Sequence, residues 1–185
     1  LLAPRVWETI AADVRARIGA ATEVRAEIGA SRSEGETKAA WQVEAEHHTG
    51  KLDVLAYARS IEEGYGVEQQ NAVERGRTKV GVDARYSITE ELSVTGSAWR
   101  DDSLTHAARR NAVQVQATWR SQATDLRLGI AHFSDRFQDG ATGSSTVLEA
   151  GASQRLLDNR LELNASTSIA LENTDSIDLP TRHRF

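Results

Sequence analysis

Two adjacent histidines between two carboxylates are the first group of side chains that could do chemistry. They occur in the stretch AEHHTGKLDV, in which His47 and His48 follow Glu46 and precede Asp53. Imidazole and carboxylate groups can bind a metal ion or act as general bases. Consecutive side chains of a β-strand, however, point to opposite faces. The two imidazoles therefore diverge, and we interpret the stretch as a hairpin end, with His47 on an apolar face and His48 on a polar one.

A second group of acidic and imidazole side chains could activate water by general base catalysis, as a hydrolase requires. Its members are Asp101, Asp102, His106, His132 and Asp135. Aspartate is common in loops, and the arginines that flank this group offer ordinary ion-pair partners. We therefore rank a hydrolase third among the function classes, and we expect no enzyme activity, no cofactor and no metal ion.

Other acidic or glycine-rich stretches lack the spacing of a known ligand site. Glu62-Glu63 and the group Glu172, Asp175 and Asp178 carry the oxygen ligands that calcium prefers, but neither has the spacing of an EF-hand. Gly64-Tyr65-Gly66 does not stand between a strand and a helix, as a phosphate-binding loop would. We expect all three segments to be solvated loops.

The composition excludes several classes of protein. The chain has 185 residues, enough for one domain, which we place at 1–185. Its net charge of −5 gives no basic surface for nucleic acid, and the absence of cysteine excludes disulfides and thiolate metal sites. No apolar run reaches the roughly 20 residues of a membrane helix. Because the chain begins with Leu1 and contains no methionine, we expect a piece of a longer protein, truncated at both ends.

The elements that must position these side chains are β-strands, because apolar and polar residues alternate along most of the chain. In KVGVDARYSI, Val80, Val82, Ala84 and Tyr86 alternate with polar or glycine positions, which is typical of a strand with one wet face. The pattern predicts an all-β fold, an antiparallel up-and-down meander of about 10–11 strands. The predicted strands lie near 6–18, 23–31, 38–48, 51–59, 78–88, 92–100, 112–120, 125–133, 146–156 and 160–171, with an eleventh beginning at Arg182.

Short connections predict how neighbouring strands align, since a one-residue slip would move every apolar side chain to the other face. We expect tight connections at Thr49-Gly50, at 20–22, from Ser121 to Thr124, and at Asp158-Asn159. The predicted cross-strand pairs are His47 with Leu52, Glu46 with Asp53, Val43 with Ala56, Ile18 with Val24, Trp119 with Leu126, Arg120 with Asp125, and Leu156 with Leu161.

Connections that alternate between short and long indicate a particular architecture. The tight links alternate with longer ones, among them RSEGET at 32–37 and the segments 60–77 and 134–145. A soluble sandwich has no reason to gather its long loops at one end, whereas a transmembrane barrel does. Together with the strands KVGVDARYSI, LSVTGSAWR, AVQVQATWR and LELNASTSIAL, this pattern resembles a bacterial outer-membrane β-barrel over nearly the whole chain.

The resemblance implies a transmembrane β-barrel, or part of one, in the outer membrane, closed by other segments or chains. Its apolar face would contact lipid and its polar face a lumen. Tyr86 and Trp119, near short turns on the apolar face, fit an interfacial girdle, while Trp99 and Phe133 fall on the polar face. The residues expected to face the lumen are Arg25, Glu27, Glu44, Asp53, Lys79, Asp83, Arg85, Arg127 and Glu162.

Two function classes therefore stand before the hydrolase. The first is an outer-membrane barrel segment that acts as a pore, an anchor or a surface scaffold, with outer-membrane lipid as its partner and no nucleic acid. The second is a soluble β-sandwich or extended-sheet adhesion module of a surface protein. In that second class, another layer of protein would bury Trp41 and Trp119.

Overall fold

The computed structural model describes residues 8–33, 35–66, 75–158 and 160–174. In these ranges the protein consists of ten β-strands and contains no helix, so no helix there is long and apolar enough to cross a membrane. The strands are β1 (Glu8–Ile18), β2 (Thr22–Ser33), β3 (Glu36–His48), β4 (Leu52–Ile61), β5 (Arg77–Ser87), β6 (Leu92–Ser103), β7 (Arg109–Arg120), β8 (Thr124–Arg136), β9 (Thr142–Leu156) and β10 (Leu161–Thr174).

The ten strands form one antiparallel sheet in which each strand pairs with its neighbours in sequence. β1 and β10 are the two edges, so the sheet is open. The predicted all-β meander is confirmed, and the open sheet is consistent with part of a barrel. The eleventh strand predicted from Arg182 lies outside the described residues, as do Asp175 and Asp178.

The two faces of the sheet differ in burial, and the apolar face is the more exposed of the two. Large apolar side chains are exposed on one face, for example Ile10 at 73% and Val113 at 53%. On the other face Ala112 and Val147 are both only 2% exposed. The side chains of the polar face are the more crowded of the two, as they would be on the concave side of a barrel wall, and we take that face as the inner one. We call the two sides the apolar outer face and the polar inner face.

The hairpin between β3 and β4 is longer than predicted, which shifts its register by two residues. His47 pairs with Val54 rather than with Leu52. The reason is local: Thr49 N donates to Leu52 O at 2.8 Å, and Leu52 N donates back to the Thr49 hydroxyl at 3.0 Å. The predicted pairing of Glu46 with Asp53 is therefore also wrong. A shift of two keeps every side chain on its predicted face.

The hairpin between β1 and β2 deviates in the same way but in the opposite direction. Ile18 pairs with Thr22 rather than with Val24. Gly19 takes a φ of +69°, a left-handed conformation that glycine adopts without steric cost. That allows the chain to reverse within three residues. The predicted faces are again preserved.

The other two predicted registers are confirmed. Trp119 pairs with Leu126 across β7 and β8, and Leu156 pairs with Leu161 across β9 and β10. Arg120 stands opposite Asp125, and its Nε lies 2.6 Å from the Asp125 Oδ1. Asn159, predicted as part of the last turn, lies outside the described residues.

The predicted contrast between short and long connections is wrong at most positions. RSEGET belongs to a hairpin in which Ser33 pairs with Glu36. β6 and β7 continue to Ser103 and Arg109, so only a short loop joins them, and the same holds for β8 and β9. The strands continue because charged side chains pair across them where the apolar pattern has already ended. Among the described strands, the long connection is 62–76.

Candidate functional site

The inner face of the sheet carries rows of polar side chains that cross it from strand to strand. All nine residues predicted to face a lumen lie on this face. The strand pairing places each of them on the same side of the sheet as the buried Ala112 and Val147. One row comprises Arg25, Glu44, Tyr57, Gly81, Trp99 and Ala112. The next comprises Glu27, Gln42, Arg59, Lys79, Asp101, Arg110 and Asp135.

Opposite charges alternate along the second row from Lys79 through Asp101 and Arg110 to Asp135. Arg77, two residues before Lys79 on β5, adds a further cation beside the row. Arg77 Nη1 lies 3.0 Å from Asp101 Oδ2, and Arg110 Nε lies 2.7 Å from Asp135 Oδ1. A second guanidinium nitrogen of Arg110 donates to the other Asp135 oxygen at 3.0 Å. The Asp135 side chain is only 4% exposed. A bidentate ion pair of this kind holds both side chains in fixed positions, so it braces β7 against β8.

The consecutive aspartates Asp101 and Asp102 do not converge. They lie on opposite faces of β6, as strand geometry requires. Asp102 is on the outer face, where Arg100 Nε lies 2.6 Å away and Arg109 Nε also donates to it. Asp101 is therefore paired with Arg77 on the inner face, and Asp102 with Arg100 and Arg109 on the outer face.

The two histidines of the predicted hydrolase group are also apart from each other. His106 lies in the connection between β6 and β7, with its Nδ1 2.8 Å from the Thr105 hydroxyl. His132 stands on the outer face, opposite Val113, with its Nδ1 2.9 Å from the Thr146 hydroxyl. Asp135 is on the inner face. Of the predicted group, Asp102 and His106 line one cavity at the end of the sheet, whereas His132 contacts Thr146 and Asp135 pairs with Arg110.

The adjacent histidines diverge, as their strand positions predict. His47 Nδ1 lies 2.8 Å from the Thr22 hydroxyl on β2. His48 faces the inner side, with Nδ1 2.9 Å from Asp53 Oδ1 and Nε2 3.6 Å from Glu46 Oε2. Among the described residues there is no group of three or more acidic, histidine or cysteine side chains placed to hold a metal ion.

A cavity of about 480 Å³ lies on the inner face near the short connections. Glu46, His48 and Asp53 line one side of it, and Asp83 and Arg85 line the centre. Its far side is formed by neutral polar residues of β6 and β7. The cavity is open, and its lining combines charges of both signs with apolar surface contributed by residues such as Val54, Leu55 and Ala84.

An aromatic and cationic cluster in the middle of the inner face is the feature that the sequence analysis missed. Tyr57 lies against Gly81 on the next strand, and Trp99 flanks the same glycine from the other side. The Lys79 ammonium lies 4.8 Å from the centre of a Trp99 ring, and the Arg59 guanidinium 5.8 Å from that of Tyr57. These are cation–π distances. Gly81 inside an apolar strand is the signal, because such a glycine often marks close approach of a neighbour.

The start of the connection between β4 and β5 folds onto the inner face. Tyr65 is 8% exposed, and its hydroxyl stands over Gly29 of β2. The segment is fastened to β3, since Glu62 N donates to Ala39 O at 3.0 Å and Ala39 N donates to a Glu62 carboxylate oxygen at 2.9 Å. Residues 62–66 therefore narrow the inner space at this end of the sheet.

Comparisons with known proteins identify a fold neighbour but no family. No protein-family model and no curated protein matches this sequence. Among solved structures, the chain is similar to a protein described as a bacterial polysaccharide outer membrane secretin, with a TM-score of 0.54 and 13% sequence identity. The match covers 89% of this chain and 60% of that one. The likeness supports the β-rich architecture, and the chain spans less than two thirds of its neighbour.

Proposed function

We propose that this ten-stranded sheet is part of the transmembrane wall of an outer-membrane β-barrel. The observation that carries the proposal is the inverted burial of its faces. The outer face exposes large apolar side chains on most strands, including Val14 at 62%, Leu128 at 57% and Leu163 at 53%. Monomeric soluble proteins rarely expose a continuous apolar patch larger than a few hundred Å². An apolar face of this kind is suited to contact with lipid.

The two open edges of the sheet support the proposal that further strands pair with β1 and β10. Backbone groups of β1 and β10 at the edges lack a neighbouring strand within the described sheet. In lipid every backbone donor and acceptor must be paired inside the protein, because no water is present to satisfy it. The neighbour chain is longer than the region matched here. We therefore propose that further strands, in the same polypeptide or another chain, close the barrel.

The inner face supports a pore rather than only an anchor. Its charges are of both signs, and they line the open cavity of about 480 Å³. The fold neighbour is described as a polysaccharide secretin, and the cluster of Tyr57, Trp99 and Lys79 favours a solute of that chemistry here. Aromatic rings present flat apolar faces to a sugar ring, and the ammonium can pair with an acidic substituent. Passage of a hydrophilic polymer is accordingly the function that we propose.

The rival class is a soluble sandwich or adhesion module, in which another sheet would cover the outer face. Trp41 and Trp119 distinguish the two classes. They are 41% and 37% exposed in the described chain, and a covering sheet would bury them in protein, whereas a barrel would leave them in lipid.

Single cysteines in the full-length protein test the proposal, because the present chain has none. Val115→Cys places a fluorescent label on the outer face, and Gln114→Cys is a matched control one residue away on the inner face. In vesicles, a nitroxide on the lipid chains should quench the label at 115 and iodide should quench the label at 114. If the protein remains soluble without detergent and iodide quenches both labels equally, the membrane proposal is wrong.

A further inference from the structure

Three arginines gather on the outer face, at the end of the sheet where β6 turns into β7 and β8 into β9. Asp102, Arg109 and Arg136 are successive cross-strand partners, and Arg100 lies two residues before Asp102 on the same face of β6. We call Arg100, Arg109 and Arg136 the outer arginine cluster. It stands on the outer face by strand register, and at the rim of the sheet Arg109 and Arg136 also border a smaller cavity shared with Asp101 and Asp135 of the inner face.

The outer arginine cluster carries more positive than negative charge. Arg100 and Arg109 both donate to Asp102, so two guanidinium groups share one carboxylate. Arg136 makes no ion pair with any residue that the structure describes, and it stands directly opposite Arg109. Like charges directly opposite each other on two strands destabilise a sheet. An anion bound between Arg109 and Arg136 would remove that repulsion.

A cavity of about 320 Å³ lies beside the cluster, between the connection of β6 to β7 and that of β8 to β9. Arg109, Arg136 and Asp102 line it on the strand side, and His106 and Phe137 line it on the loop side. Sites for small molecules begin at about 300 Å³. The cavity is therefore large enough for a charged group together with part of the molecule that carries it.

The cluster stands at the edge of the apolar band of the outer face. Trp119 marks the other edge of the band and lies ten residues from Arg109 on β7. At about 3.4 Å per residue and a strand tilt of about 40°, ten residues rise about 26 Å along a barrel axis, close to the ~25 Å height of a lipid-facing band. Val113 and Val115, which are 53% and 47% exposed, lie between the two. The arginines therefore lie at the level of lipid headgroups.

We infer that the outer arginine cluster binds the phosphate groups of anionic lipid headgroups, a step that rests on the proposed membrane location. Arg109 and Arg136 would each present a planar pair of N–H donors to phosphate oxygens, a bidentate geometry that guanidinium groups favour. The acyl chains of the same lipid would lie along the apolar band below. The site thus joins a charged headgroup pocket to an apolar surface, which a free phosphate ion would not need.

The test measures lipid that stays bound to the full-length protein in detergent, by native mass spectrometry. The probes are an acylated diglucosamine with two phosphates, the same glycolipid without phosphates, and inorganic phosphate as a competitor. The variant Arg109→Gln with Arg136→Gln removes two charges from the cluster. The control Lys51→Gln with Arg160→Gln removes two charges from exposed connections at the other end of the sheet.

We expect the native protein and the control to retain the phosphorylated glycolipid about tenfold better than the cluster variant. The unphosphorylated glycolipid should bind all three proteins equally weakly. Equal retention by the cluster variant, or displacement of the lipid by millimolar phosphate, would overturn the inference. Flotation of each protein with vesicles is measured in parallel. If the native protein does not float, the membrane proposal itself is wrong. If it floats and the cluster variant retains lipid equally well, only the inference about the arginine cluster is wrong.

Discussion

The hydroxyl of Tyr65 stands directly over Gly29, so that a Cβ built on Gly29 would overlap it. No real Cβ approaches another heavy atom so closely. The absence of a side chain at Gly29 is therefore what allows residues 62–66 to lie against β2. This contact joins a long connection to the inner face across more than 30 residues of sequence.

Gly29→Ala should release the segment at 62–66 without unfolding the sheet. The clash is with the end of the Tyr65 side chain, which can rotate away, so we expect a cost of about 1 kcal/mol in the free energy of unfolding. Hydrogen exchange of the amides at 62–66 should become faster. Gly96→Ala is the control, since its Cβ would meet nothing closer than 3.8 Å. Unchanged exchange in Gly29→Ala would show that Tyr65 does not fasten the segment.

Gly81→Ala should cost more stability than Gly29→Ala. Its Cβ would lie 2.5 Å from the Tyr57 hydroxyl and 2.8 Å from Trp99 Cβ. Tyr57 can rotate away, but Trp99 Cβ moves only with its backbone, so the strands themselves must separate. We expect a loss of about 2–3 kcal/mol, measured by denaturant unfolding in detergent. Adding Tyr57→Ala should recover only part of it, and full recovery would contradict the role given to Trp99.

Much of the fold followed from alternation alone, because period two identifies both the strands and the face of each side chain. The two wrong registers show the limit of that signal. At Thr49 a side-chain hydroxyl bonds to the Leu52 backbone and lengthens the turn, and at Gly19 a positive φ shortens it. A shift of two residues leaves the apolar pattern unchanged, so the pattern does not detect it.

The ends of the strands and the inner cluster were harder to predict for a different reason. β6 and β7 continue through Asp102 and Arg109, whose pairing is electrostatic and leaves no apolar alternation. The packing of Tyr65 on Gly29, and of Trp99 beside Gly81, depends on residues far apart in sequence. Glycine within a strand pattern was the available signal at both positions.

Asp135→Asn should destabilise the protein, because it removes the charge of a nearly buried carboxylate while the Arg110 guanidinium remains. The loss of one partner of a buried ion pair costs about 3–5 kcal/mol. Arg110 is 26% exposed, so water offsets part of that cost and we expect about 2 kcal/mol. Asp125→Asn is the matched control, since its partners Arg120 and Arg155 are 68% and 37% exposed and the loss of its charge should change the unfolding midpoint little. Equal effects of the two substitutions would contradict the bracing role of the inner ion pair.

Trp99→Leu should weaken binding of an acidic oligosaccharide if the inner aromatic cluster contacts the transported polymer. The probe is a hexamer of glucuronic acid, added to the full-length protein in detergent and followed by isothermal titration. Loss of the ring removes a stacking surface and the partner of Lys79, so we expect affinity to fall about fivefold, equivalent to about 1 kcal/mol. Trp119→Leu makes the same chemical change on the outer face and should leave affinity unchanged. If both variants bind like the native protein, the polymer does not contact the aromatic cluster. The role of Tyr57 and Trp99 is then to pack around Gly81.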